Sequence, residues 1–188
     1  MTHDTPLRIV WFKRDLRVSD NAPLLHASRG KVIPLYILEP DYWTLKDTSA
    51  QQQDVLIAAL RDLNAALSKL GAPLIVRQGD AVDVFKTLLA AHPITEVVSH
   101  EETGNAWTYL RDLQVAKLLR GQNIPWREFP NHGVVRGLKD RDGWSKRWHQ
   151  TMASAQVQTP EQLEPGADLT SDIDQLRAPG ASSEWLIT

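Results

Sequence analysis

A doubly wound, Rossmann-like α/β fold is what the sequence predicts, with a five-stranded parallel sheet in the order 3-2-1-4-5 and helices on both faces. Three observations carry that expectation. Short β-like runs alternate with helix-like segments through the first 130 residues, the pattern that right-handed crossovers between parallel strands produce. One run, VIPLYIL at residues 32–38, is almost wholly apolar, as a strand buried on both faces has to be. A leucine series, Leu56, Leu60, Leu63, Leu67 and Leu70, recurs at intervals of four and three and forms one apolar helical stripe.

Residues 7–12 (LRIVWF) read as the first strand. Ser19 or Asp20 is expected to cap a short helix through Ser28, with Pro23 in its first turn and Gly30 after it. Residues 32–38 form the second strand, and the leucine helix that follows ends at Gly71, where Pro73 prevents continuation. Residues 74–76 make the third strand, Gly79-Asp80 opens a helix over 81–91, and residues 94–99 (ITEVVS) make the fourth strand. Thr103 is expected to cap a helix over 105–120, with Ala106, Leu110, Leu113 and Ala116 facing inward and Gly121 closing it. Residues 124–129 are the fifth strand. A basic, Trp-containing segment (RGLKDRDGWSKRWHQ) forms one more helix, so residues 1–155 read as the α/β domain. Residues 156–188 are rich in Pro, Gly, Ser and acidic side chains without sustained periodicity, the composition of a linker-like tail.

The bulk composition excludes several classes of function. A chain of 188 residues suits one domain, and 42% hydrophobic with 23% charged residues is typical of a soluble globular protein. The net charge of −2 gives no global basic footprint for nucleic acid. With no cysteine there is no disulfide, no thiolate nucleophile and no Cys-ligated metal. No run of 18 apolar residues occurs, and MTHDTPLR lacks the apolar core of a signal peptide, so a cytoplasmic protein without membrane partners is expected.

In open α/β sheets ligands bind beyond the carboxyl ends of the strands, where strand order reverses. That rule singles out residues 13–17, 39–43 and 100–107. No GxGxxG or GxxxxGK[ST] loop is present to hold a dinucleotide or nucleoside triphosphate. Arg14 and Arg17 have the fork geometry to hold a carboxylate or phosphate, while Asp15 can instead pair with one of them to stitch the loop. His100, Glu101 and Glu102 alternate sides on an extended chain and cannot converge on one metal ion, although Glu101 or Glu102 can hydrogen-bond a ligand. Trp107 and Tyr109 suit stacking on a flat heterocycle or core packing. Trp144 and Trp148, one helical turn apart among Arg141, Lys146 and Arg147, suit docking on another domain more than binding nucleic acid. No nucleophile–base or paired-carboxylate spacing stands out, so no catalytic residue is assigned. Two other classes fit the same chain: a nucleotide-binding signalling domain of Rossmann-like architecture and a ligand-free protein-interaction domain.

WFKRDLRVSDNAPL (residues 11–24) closely resembles the N-terminal signature of the DNA photolyase/cryptochrome family, WFRxDLRxxDNxAL. The resemblance continues through VIPLYILEP and through HEETGNAWTYLRDLQV, whose Arg111-Asp112 matches the family's R-D pair, and covers about residues 7–150. It implies an α/β domain joined in the parent protein to a larger helical domain that binds FAD and, under blue light, repairs pyrimidine dimers in DNA or serves photoreception. It also implies an antenna chromophore in the α/β domain: deazaflavin, flavin or, less fittingly, folate. Folate-binding members carry Asn-Glu where Trp107-Thr108 stand here. By resemblance the antenna pocket is lined by Phe12, Lys13, Arg14, Leu38, Glu39, Glu101 and Trp107. No counterpart of the FAD-binding helices is expected within this chain, and so no bound FAD, no repair of DNA by this chain alone, and damaged DNA as a partner only of the full-length protein.

Overall fold

The computed structural model describes residues 5–177. Its main strands are β1 (Leu7–Phe12), β2 (Lys31–Leu38), β3 (Ile75–Gln78), β4 (Ile94–His100) and β5 (Trp126–Phe129), all parallel, in the order β3-β2-β1-β4-β5. The expected topology is the observed one. Four helices connect them: α1 (Ala22–Ala27), α2 (Ala50–Leu70), α3 (Ala81–Ala91) and α4 (Ala106–Gly121).

Alternation along β1 builds two cores from one strand. Val10 and Phe12 face α1 and α2, whose contributions include Leu24, Ile57, Leu60, Leu63 and Leu67. Leu7, Ile9 and Trp11 face α3 and α4, meeting Phe85, Leu88, Val115 and Leu119. β2 is buried over Val32–Leu38 because helices cover both of its faces. α2 starts in a reciprocal capping box between Ser49 and Gln52. It stops at Gly71, whose φ of +105° lies in the left-handed region glycine favours.

Three local expectations are corrected. Asn21, rather than Ser19 or Asp20, caps α1, its side chain accepting the Leu24 N–H at 2.9 Å. Asp20 instead has φ +48° and its carboxylate accepts the Val157 N–H at 2.8 Å. Asn105, rather than Thr103, caps α4, because it is the extended residue immediately before the first turn and receives the Thr108 N–H at 3.1 Å. The apolar stripe of α4 is also turned the other way. Leu110 and Leu113 are 57% and 49% exposed, whereas Thr108, Val115 and Leu119 are buried. The inward row 108-111-112-115-119 carries the half-buried Arg111 and Asp112, and their ion pairs at the sheet set the rotation of the helix.

A fifth helix, α5 (Trp144–Met152), forms from the basic Trp-containing segment and buries none of its residues. The stretch read as the start of a linker-like tail runs against the domain. β6 (Glu164–Pro165) pairs with Lys31 and Val32 of β2, filling the space ahead of β3, which begins opposite Leu35. Gly166 is required there: a Cβ would lie 2.2 Å from Leu7 Cδ1. Ser171 Oγ then accepts the Val76 N–H at 2.9 Å and Asp172 accepts that of Gln78 at 3.3 Å, so side chains occupy the outer edge of β3. Leu163, Ile173 and Leu176 are buried against α1, α2 and the sheet. Residues 178–188 of the expected tail lie outside the described residues. No described helix is long and apolar enough to cross a membrane.

This strap belongs to the core. Leu163→Ala is expected to lower the free energy of unfolding by about 3 kcal/mol, the usual cost of emptying a buried leucine site. Denaturant melting checks it, and a loss below about 1 kcal/mol would separate the strap from the cooperative unit.

Candidate ligand cavity at the switch point

Successive connections leave β1 toward one face of the sheet and β4 toward the other, and a crevice opens between their carboxyl ends. It holds a cavity of about 440 Å³. Phe12, Lys13 and Arg14 reach it from the end of β1, Tyr36 and Glu39 from β2, and Tyr42 and Trp43 from a single turn of 3-10 helix, Pro40–Thr44. Val55 and Leu56 of α2 form an aliphatic wall, and Glu102, Thr108 and Arg111 close the side toward α4. A wider groove of about 850 Å³ runs between α4 and β5 past Tyr109, Leu113 and Trp126. The smaller cavity is the better candidate, because it lies at the strand crossing between aromatic walls and buried charges.

The charges are interlocked. Lys13, with its side chain only 3% exposed, places Nζ 3.1 Å from Asp112, 3.7 Å from Glu128 and 4.0 Å from Glu102. The same ammonium lies 5.1 and 5.3 Å from the ring centres of Trp11 and Trp126, within cation–π range. Arg111 donates to Glu39 at 2.8 Å, to Asp112 at 2.9 Å and to Glu102, with its guanidinium carbon 5.0 Å from the Trp11 ring centre. Burial alone would lower the pKa of Arg111, but the three carboxylates outweigh it and push the value up. Arg14 donates to Glu102 at 3.0 Å and to the Tyr42 hydroxyl at 2.9 Å.

Glu39 is different. Burial raises its pKa to about 7, and Arg111 with the Ala81 N–H only partly offsets that desolvation. It is thus a carboxyl whose protonation changes near neutrality. Burial, reinforced by the nearby Glu39 charge, also pushes the Tyr36 phenol upward, so it remains a neutral donor.

Behind the cavity Asp15 and His100 form a buried pair at 2.6 Å, and Asp15 also accepts the Lys13 N–H at 3.1 Å. Burial opposes ionisation of Asp15, yet His100 and the backbone donors hold its pKa below the ordinary value. The expected Asp15–arginine stitch is therefore replaced by a histidine. Arg17 turns instead to the carbonyls of Ser19 and Asp20 and to Asn131. Among the described residues no group of three His, Asp or Glu side chains is placed to hold a metal ion.

Of the residues singled out in the sequence, Phe12, Lys13, Arg14 and Glu39 converge on the cavity. Trp107 stands beside it, its ring 5.4 Å from Tyr42 and 6.0 Å from the Arg111 guanidinium. Leu38 lies behind the wall in the core, its carbonyl bonded to the Gly79 N–H. Glu101 is not a lining residue: its N–H pairs with the Phe129 carbonyl and its carboxylate lies 4.0 Å from Arg136, while the next residue, Glu102, turns inward. Tyr36, Tyr42 and Arg111 were not singled out as ligands. Arg111 carries a visible signal in its R-D pair and Tyr42 lies in the 39–43 window at the end of the second strand, whereas Tyr36, inside that strand, carries none.

A parallel α/β sheet with an aromatic, ion-framed cavity at its switch point defines a domain of the doubly wound class with a candidate ligand pocket. Comparison narrows the class. The DNA photolyase family matches residues 8–141, and this chain belongs to that family. It is similar to the deoxyribodipyrimidine photo-lyase of Escherichia coli (strain K12), 28% identical over 190 residues, covering 86% of this chain and 39% of that protein. Among solved structures it resembles a bacterial class III photolyase from Agrobacterium tumefaciens, with TM-score 0.78 and 22% identity over 98% of this chain and 41% of that one. It also resembles an archaeal photolyase from Sulfolobus tokodaii whose structure holds two FAD molecules, with TM-score 0.66 and 23% identity over 90% and 40% of the two chains. The chain thus spans about two-fifths of the length of these relatives. The structural likenesses establish the fold.

The raised pKa of Glu39 has a signed consequence for stability. Folding strengthens its hold on a proton, so its contribution is complete below pH 4.5 and is lost as pH rises through about 7. Thermal melts of wild type and Glu39→Gln between pH 5 and 8 isolate it. The wild type is expected to lose more stability across that range than the variant, and parallel curves would place the Glu39 carboxyl in the ordinary range.

Proposed function

We propose that this chain is the light-harvesting α/β domain of a photolyase- or cryptochrome-type protein of the cytoplasm. The switch-point cavity holds a planar chromophore, whose excitation energy passes to a flavin bound by a helical domain of the parent polypeptide. The observation that carries this reading is the cavity itself: about 440 Å³ at the carboxyl ends of β1 and β2, walled by Phe12, Tyr36, Tyr42 and Trp43. That volume lies within the usual range for small-molecule sites and suits a fused tricyclic ring. Energy transfer acts across space and needs no nucleophile or general base, so a site of aromatic walls and fixed charges is sufficient.

The chromophore is a deazaflavin or flavin in preference to a folate. The Sulfolobus tokodaii photolyase, with its two FAD molecules and the novel light-harvesting cofactor they imply for that protein, favours a flavin-like ring. So does Trp107-Thr108 in place of the folate-type Asn-Glu. Phe12, Lys13, Arg14 and Glu39 are the ligand contacts, with Tyr42 and Arg111 added from the geometry, Trp107 at the side, and Leu38 and Glu101 without direct contact. The helical partner domain docks against the exposed apolar patch of Val134, Trp144, Trp148 and Met152, where the two Trp rings stack at 6.5 Å and are 45% and 38% exposed. DNA repair belongs to the assembled parent.

Fluorescence titration with a deazaflavin and with riboflavin tests the reading. Each should bind, and Tyr42→Ala and Trp107→Ala should each weaken binding by about tenfold, the loss of one aromatic contact. Affinities unchanged in both variants would remove the site. Binding of ATP or AMP with no flavin binding would favour a nucleotide-sensing domain. A second expectation is that the purified chain repairs no pyrimidine dimers under blue light; repair by this chain alone would refute an antenna-only role.

A further inference from the structure

Three cations face the cavity, and two of them are fully committed. Lys13 is claimed by Asp112, Glu128 and Glu102, and Arg111 by Glu39, Glu102 and Asp112, with side chains 3% and 11% exposed. Neither can leave its carboxylates without stranding buried charge. Arg14 is in another position. Its side chain is 55% exposed, and only Nε, toward Glu102, and one terminal nitrogen, toward Tyr42, are engaged among the described contacts. Those two bonds reach different elements, one the segment between β4 and α4 and the other the 3-10 turn after β2. Arg14 therefore spans the space between the two sides of the cavity.

Resting on the chromophore reading above, we propose that Arg14 is a latch over the cavity and the anchor for a phosphate-type anionic tail on the bound chromophore. Leaving its present partners is easy. Glu102 keeps Arg111 on its other oxygen, with Lys13 at 4.0 Å, and the Tyr42 hydroxyl needs no charged partner. An ion pair whose arginine is half exposed and whose carboxylate keeps a second cation is a weak tie for that arginine, whereas a guanidinium fork on a phosphate monoester makes two parallel charge-assisted bonds. The ring itself needs no cation. Its apolar faces meet the aromatic walls, and Glu39 and Glu102 supply acceptors for imide N–H groups. The chromophore class this selects is a flavin or deazaflavin monophosphate rather than the uncharged riboflavin-type compound.

Calorimetric titration of the intact chain with flavin mononucleotide and with riboflavin at pH 8, where the phosphate is a dianion, measures the preference directly. The mononucleotide should bind about tenfold tighter in wild type. The ratio of the two affinities should fall to within about twofold in Arg14→Gln, and Arg14→Lys should restore part of it as a point charge without the fork. Raising the salt from about 50 to about 500 mM should weaken the mononucleotide more than riboflavin. Equal affinities in wild type, or a preference that survives in Arg14→Gln, overturns the anchor while leaving the cavity as a flavin site. Failure of both flavins to bind overturns the chromophore reading and the anchor with it.

Discussion

A lysine ammonium away from water is the constraint on which this domain turns. Removing an ion from water costs several kcal/mol, recovered only by close, well-oriented partners. For Lys13 those partners come from α4 (Asp112), β5 (Glu128) and the segment after β4 (Glu102), with the Trp11 and Trp126 faces filling the remaining directions. Arg111 extends the lattice to the end of β2 through Glu39. One charge at the tip of the central strand thereby fixes the relative placement of elements from across the sheet, and those elements build the cavity. The rotation of α4 is a direct result: bringing Asp112 and Arg111 to the sheet takes precedence over burying Leu110 and Leu113.

The same lattice prepares a cavity that is rigid, aromatic and nearly balanced in charge. Trp11 lies beneath both Lys13 and Arg111 and against Phe85 at 5.0 Å, so the floor of the site is anchored in the core of the opposite sheet face. Glu39 is the element with latitude. Its protonation changes near neutrality, which lets the cavity present either an acceptor or a donor at that point. Behind it the Asp15–His100 pair ties the end of β1 to the end of β4. A switch-point crevice that would otherwise flex is braced from below.

Most of the fold was legible in the sequence because periodicity reports burial. The alternation of β1, the two-sided burial of β2 and the leucine stripe of α2 each follow from which side of the chain meets apolar neighbours. α4 shows the complementary case: its inward row, buried Thr108, Val115 and Leu119 with half-buried Arg111 and Asp112, looks polar, and only the position of Lys13 explains why it faces inward. The site was half legible. Residues contiguous with strand ends, Phe12 to Arg14 and Glu39, follow from topology. Glu101 and Glu102 differ only by the alternation of the chain, and a shift of one residue in where β4 ends exchanges them. Tyr42 is marked only by its place just past the second strand, and Tyr36 has no sequence signal because an aromatic within a buried strand is usually core. The partnering of Asp15 with His100, 85 residues away, is a tertiary fact.

The two margins of the sheet are unlike. Along β3 the outward N–H groups of Val76 and Gln78 are taken by Ser171 and Asp172, and an arginine covers the carbonyl between them. β5 has no described strand beyond it. Growth of a β-structure from molecule to molecule needs two open margins, one to receive and one to offer. A molecule with a single open margin can join one other copy, margin to margin, and then has nothing left to extend. With side chains filling the β3 margin, this domain lacks one of the two margins such growth requires, and the strap that completes its core is also what occupies that edge.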